Sequence, residues 1–212
     1  MLKRTLLAIC LLIAFAVSAQ AQIIRDTRWD ADVFNKANTA KDVSYLSDDE
    51  KSVICLCNLA RVNGKLFANT YLRDYVQERS LKSEYVQTLI TDLQNVRDLP
   101  MLVPDLGLCT AAANHASDIG STGRTGHRSS DGRDLVKRFE KYFEKGTVSE
   151  NCSYGKAAPL DIVMQLLIDD GVESLGHRNV MLSEQYGAVG VSIAKHSIFQ
   201  YNCVLDLYDS FL

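Results

Sequence analysis

Proline is nearly missing from this sequence, with 3 residues in 212, and that scarcity excludes collagen-like and Pro-rich low-complexity chains. Positive charge is not in excess either. Lys and Arg number 23 against 26 Asp and Glu, for a net charge of −3. Such a chain has no electrostatic footprint for nucleic acid or anionic lipid, and no nucleic-acid partner is expected. After residue 17 no apolar run approaches the roughly twenty residues that cross a bilayer. That excludes a polytopic membrane protein and predicts no stable membrane anchor. CxxC, Cys/His zinc-finger spacing, GxSxG, HExxH, a P-loop and GxGxxG are all lacking, so the standard hydrolase, zincin and nucleotide motifs get no support. What is there is 47% hydrophobic and 23% charged residues, the balance of a globular chain able to bury a sizeable core without disulfide staples.

The N-terminus carries an address. Lys3 and Arg4 precede an unbroken apolar run from Leu6 to Val17, and Ala19-Gln20-Ala21 supplies a small-x-small cleavage site. Residues 1–21 therefore predict a secretory signal peptide and a secreted protein, periplasmic or extracellular. Five cysteines remain after cleavage: Cys55, Cys57, Cys109, Cys152 and Cys203. An odd number leaves at least one thiol unpaired. Cys55 and Cys57 are poor partners on one helix, because residues two apart point in different directions. A Cys152–Cys203 bridge stays open if their strands pair; otherwise these cysteines read as small buried hydrophobes.

Residues 22–46 are polar without clear period and predict a loosely structured arm; residues 47–212 form the domain. Ser47 and Glu50 make a capping box, followed by Val53, Leu56, Cys57 and Ala60 at helical spacing, with a stop at Gly64. Ser83 and Asp105 open two further helices, the second with the stripe Cys109, Ala112, Ala113, Ala116 and Ile119. Gly120 to Gly132 reads as loop, and Asp131 as the cap of a helix bearing Leu135 and Phe139. Residues 148–154 alternate as a strand. Pro159 starts a helix stopped by Gly171, and a short helix spans Ser174 to Leu182. Val189 to Ile193 and Phe199 to Leu205 read as a terminal hairpin turning at Lys195-His196-Ser197. Helices first, then strands mixed with helices, predict an α+β fold with a small, mostly antiparallel sheet.

His127 and His177 stand in the same tripeptide, Gly-His-Arg. His127 lies in the loop, where no core period explains it. His177 lies in a first helical turn, where the helix dipole keeps an imidazole neutral, as a metal ligand must be. His115 reads as packed within its helix and His196 as solvated in the hairpin turn. Glu150 shares a strand face with Val148, Cys152 and Tyr154, so it needs a partner, a His or an Arg. Asp169 and Asp170 sit at a helix C-terminus, where carboxylates are unfavourable unless a cation compensates them or another role holds them.

The runs Ala111 to Asp118, Gly126 to Gly132, Glu150 to Gly155, Gly176 to Leu182 and Gly187 to Val191, with Asn58 and Arg61 upstream, together resemble the CAP superfamily (cysteine-rich secretory, antigen 5, pathogenesis-related 1; SCP-like). The resemblance implies a three-layer α-β-α sandwich and a cleft with two histidines and two acids. These would be His127, His177, Glu150 and Asp169, with Asp170 as the alternative fourth position. It implies zinc or another divalent ion, weakly held by His127 and His177. A lipid, sterol or peptide is the implied ligand, and the chain is expected to be a monomer. Three readings follow. The first is a non-catalytic binding module. The second is a metal-assisted hydrolase in which Glu150 is general base and Asp169 assists. The third is a structural hydrogen-bond network.

Overall fold

The computed structural model describes residues 25–143 and 145–209, so the signal peptide expected over 1–21 lies outside it. Helix α2 (Asp48–Val62) is buried from Ser52 through Arg61, which suits a helix at the middle of a core. It begins at the expected capping box: Ser47 Oγ accepts from the Glu50 N–H, and Glu50 Oε2 accepts from the Ser47 N–H at 2.8 Å. The other Glu50 oxygen accepts from the Ile193 N–H at 2.9 Å, fastening the cap to the sheet. Buried Asn58 and Arg61 are satisfied by backbone. Asn58 donates to the carbonyls of Ala37 and Leu102 and accepts from the Leu102 N–H. Arg61 donates to the carbonyls of Pro100, Met181, Ser183 and Tyr186. Burial lowers its pKa to about 10, which leaves it cationic at neutral pH.

Four strands, β1 (Val103–Pro104), β2 (Val148–Tyr154), β3 (Tyr186–His196) and β4 (Gln200–Asp209), form one sheet in the order β1-β3-β4-β2. β1 runs parallel to β3; the other pairs are antiparallel. One face is covered by α6 (Leu106–Thr122), the other by α2 and α8 (Pro159–Ile168). The strand period decides which core each side chain joins. Val204 packs with Ala112, Ala116 and Ile119 of α6, whereas Cys203, Leu205 and Leu207 join α2 and α8. The architecture is α+β, with helical layers on both faces of the sheet. α6 approaches β3 closely because two contacts have no Cβ. A methyl on Gly190 would overlap the Leu108 backbone, and one on Gly120 the Lys195 carbonyl. Ala113, expected on the buried stripe, is exposed instead.

Several expectations need correction. The stretch 22–46 is not loose over its described part. Asp30 caps α1 (Ala31–Ala37), Phe34, Ala37 and Ala40 are buried, and the Trp29 indole donates to Thr70 Oγ1 at 3.0 Å. A seven-residue helix with two buried side chains shows no readable period. Gly64 does not end the helical run; after Asn63 the chain continues through α3 (Gly64–Phe67), a π turn (Ala68–Leu72) and α4 (Arg73–Arg79). α5 (Glu84–Asn95) begins after Ser83 as expected. Asp134, not Asp131, caps α7 (Leu135–Phe139). Of the short helix, Gly176–Met181 forms α9.

All five described cysteines are free and buried. The Cys152–Cys203 bridge is ruled out by register. Cys152 stands opposite Val204 and Cys203 opposite Ser153, so the two side chains leave opposite faces of the sheet. His196 is buried rather than solvated. Its Nε2 lies 2.8 Å from the Arg124 carbonyl, and its Nδ1 accepts from the N–H groups of Ile198 and Phe199.

Candidate functional site

β2 is an edge strand, and its alternation builds the site. Glu150 and Cys152 lie on the α6 side. On the other side Asn151 donates to the His177 carbonyl at 3.0 Å, and Ser153 donates to Gln165 of α8. A cleft of about 510 Å³ opens at this edge, with His127, Cys152 and Tyr154 on one flank and Asp169 and His177 on the other.

The first flank centres on Glu150, whose side chain has no solvent exposure. Its Oε1 faces His127 Nδ1 at 2.8 Å, and its Oε2 accepts from the Arg138 guanidinium of α7. His115 Nε2 lies 3.6 Å from Oε1. Burial pushes this carboxyl up. The His127 hydrogen bond and the charges of His115 and Arg138 more than offset it, so its pKa is below the ordinary value. The partner that Glu150 was expected to need is thus both a His and an Arg. Arg138 also donates to the His127 carbonyl at 2.6 Å, and Tyr154 Oη accepts from the Gly126 N–H at 2.7 Å. The loop carrying His127 is held on both sides of that residue.

The second flank centres on Asp169, which takes a left-handed backbone (φ 57°) at the end of α8, a conformation tolerated by Asp better than by most residues. Its Oδ1 faces His177 Nδ1 at 2.6 Å, and its Oδ2 accepts from the N–H groups of His177 and Arg178 at 2.9 and 3.2 Å. α9 has no cap on its own chain segment; Asp169 supplies one from α8. The cation that the C-terminus of α8 needed is Arg178. It donates to the carbonyls of Leu167 and Ile168 and to Asp92 of α5. Asp170 does not take the fourth position; its Oδ1 accepts from Ser83 Oγ.

The four expected residues therefore come together at one cleft as two His–carboxylate pairs, not as four ligands around one point. A carboxylate accepts only, so each Nδ1 facing it carries a proton, and a ring in its neutral form has its lone pair on Nε2. Among the described residues neither Nε2 has a hydrogen-bond partner. This is the arrangement by which carboxylates orient metal-binding histidines. A separate trio, His115, Glu150 and Cys152, places three possible ligand atoms within 4.8 Å of one another. Its chemistry suits an ion poorly. His115 Nε2 lies 3.0 Å from the Gly126 carbonyl and so carries a proton. Burial and then Glu150 push the Cys152 thiol well up, and Glu150 is committed to His127 and Arg138.

Arg138, Asn151 and Asp206 were not singled out from the sequence. Asn151 carried a signal, since it follows Glu150 in the Glu-Asn motif. Arg138 carried none, as it becomes a site residue only when α7 docks. Asp206 stands opposite Glu150 on β4, fully buried, with neither oxygen hydrogen-bonded among the described residues. Burial first, then the charge of Glu150, raises its pKa well above the ordinary value.

Two solved structures resemble the fold at a TM-score of 0.43. One is an extracellular protein containing an SCP domain from Bacillus anthracis, 19% identical over 59% of this chain and 39% of the other. The second is an outer surface protein from Borrelia burgdorferi, 16% identical over 59% of this chain and 86% of the other. The chain thus spans well under two thirds of the length of the first. No curated protein matches. The family model described as CAP, the cysteine-rich secretory protein family, matches residues 72–207. That stretch is more than half of the chain and contains both His–carboxylate pairs, and the chain belongs to that family.

Proposed function

We propose that this is an exported binding module whose cleft holds a divalent ion, zinc foremost, between His127 and His177. The observation that carries the reading is the pair of Nδ1–carboxylate contacts, at 2.8 and 2.6 Å, on opposite flanks of one cleft. Two imidazoles leave a zinc ion short of the three protein ligands usual in a catalytic site, so the affinity is weak and coordination positions stay open for a ligand. When bound, the ion supplies Lewis acidity to whatever group occupies those positions. Beside the histidines the wall is apolar, through Leu81, Leu166, Ile168 and Val172. This suits a lipid, sterol or peptide chain whose polar end meets the histidines.

Glu150 holds a positioning role in this reading rather than that of general base. Both of its oxygens are engaged by His127 and Arg138, and a base must reach the proton it abstracts. Asp169 likewise spends its oxygens on His177 and on the first turn of α9. Export rests on the signal peptide read over 1–21. The test is a calorimetric zinc titration of the purified exported protein near neutral pH, beside the His127→Ala/His177→Ala double variant. Saturable binding lost in the folded variant supports the reading. No binding in the wild-type protein overturns it.

A further inference from the structure

Behind the Glu150 cluster, away from the cleft, lies a second cavity of about 320 Å³ between α6, the loop before α7 and the residues just after it. Its wall includes Asn114, His115, Ser129, Arg138 and Tyr142, and its polar groups are short of partners. His115 Nδ1 and Arg138 Nε are buried with no hydrogen bond among the described residues, on side chains with 0% and 5% exposure. The Asn114 carboxamide and the hydroxyl of buried Ser129 also make none there. Orphaned buried polar atoms are uncommon, and each calls for an explanation.

The chemistry of these atoms selects a ligand. Arg138 Nε is a donor only. His115 carries its proton on Nε2, against the Gly126 carbonyl, so its Nδ1 is an acceptor only. Burial lowers its pKa, against the opposing pull of Glu150, which keeps it neutral. Asn114 and Ser129 can do both. An anion would satisfy Arg138 but meet the His115 lone pair. It would also meet the carboxylates of Asp118 and Asp131, which line the same cavity. Two of the three cations in the wall are already paired, Arg138 with Glu150 and Arg133 with Asp131 at 2.7 Å, and the third, Lys141, lies over the Tyr142 ring. A cation would meet Arg138. A neutral group that donates and accepts at once fits every atom, and that group is a hydroxyl. Several are wanted side by side, and Tyr142 provides a ring face for the carbon skeleton between them.

We propose that this second cavity is a binding site for a neutral polyhydroxylated ligand, a sugar unit of a glycan, independent of the metal reading of the cleft. The experiment is an amide NMR titration of the exported protein with chitobiose, with maltose and with inorganic phosphate, repeated on Asn114→Ala. Asn114 is exposed on a helix, where Ala is the better helix former, so this variant keeps the fold. The expected result is saturable shifts at Asn114, Ser129 and Asp131 with at least one disaccharide. Asn114→Ala should weaken them about tenfold, a loss of about 1.4 kcal/mol, while zinc binding is unchanged. Three outcomes overturn the proposal. They are shifts with phosphate alone, no saturable shift with either disaccharide at tens of millimolar, or disaccharide binding that Asn114→Ala leaves intact. The second would mean that ordered water fills the cavity.

Discussion

Replacing Glu150 by Gln tests the centre of the site with almost no change of shape. The wild-type carboxylate is fully buried and faces Arg138 and His127, and the Arg138 side chain is only 5% exposed. Removing one partner of such a pair leaves an uncompensated buried charge, at a cost of about 3–5 kcal/mol. For a domain of this size that corresponds to a fall in Tm of roughly 6–20 °C. A second effect follows from the hydrogens. If the Gln carbonyl turns to Arg138, its NH2 faces His127 Nδ1, which must then accept. The His127 proton moves to Nε2 and removes the lone pair the cleft needs. Metal affinity should drop by about 10–100-fold, as for other lost orienting partners. The pH dependence has a fixed sign. The folded-state pKa of Glu150 lies below its ordinary value, so its contribution is present above that value, about 4.3. It is lost as pH falls through the lower folded-state pKa. Melting curves of wild type and Glu150→Gln should therefore converge at acid pH. A loss at pH 7 under about 1 kcal/mol, the size of an exposed ion pair, would refute the reasoning. So would unchanged zinc affinity.

Asp206→Asn should act in the opposite sense. The folded-state pKa of Asp206 is raised, so the wild-type protein loses stability as pH rises above the unfolded value, about 3.9. The variant should melt higher at pH 7, with a gain that vanishes near pH 3; an equal or lower Tm at pH 7 refutes this. Gly190→Ala puts a methyl into the Leu108 backbone and forces α6 off β3. A loss of about 1–3 kcal/mol by denaturant titration is expected, and an unchanged midpoint would mean that α6 moves freely. Asp169→Asn keeps a residue that tolerates the left-handed backbone but turns an amide toward three donors. It should lower Tm by roughly 2–8 °C, as for a lost helix cap, and weaken zinc binding, with calorimetry as the check.

Much of the domain was legible because local chemistry and tertiary need agreed. Ser47 with Glu50, Asp105, the alternation through 148–154 and Pro159 each specify an element that the structure contains. Glu150 was legible as a residue needing a partner, since a carboxylate on an apolar strand face is costly alone. What could not be read depends on distant segments meeting. Trp29 and Phe34 look like parts of a polar arm until Thr70 and the core receive them. His196 looks solvated in a turn because its acceptor, the Arg124 carbonyl, lies 72 residues away. Arg138 is one charge among many until α7 folds over β2.

The position of the site follows from the same alternation. A strand inside a sheet cannot present both of its faces to one opening, because its neighbours block both edges. β2 is an edge, so the loop anchored to Glu150 on its α6 side and the helix anchored through Asn151 on its α8 side can converge past it. Each histidine is oriented by its own carboxylate, His127 by Glu150 of β2 and His177 by Asp169 at the end of α8, and neither pair holds the other. Both histidines are thus tied to adjacent residues of β2, and the His127 loop is tied to α6 as well, through the His115 ring against the Gly126 carbonyl. A substitution that shifts α6 on β3 should alter metal affinity by moving the His127 loop through the His115–Gly126 contact. Gly190→Ala is such a change, and a weakened zinc titration with both His–carboxylate pairs intact would be its signature. Unaltered affinity in a protein whose α6 has moved would mean that Glu150, not α6, places the His127 loop.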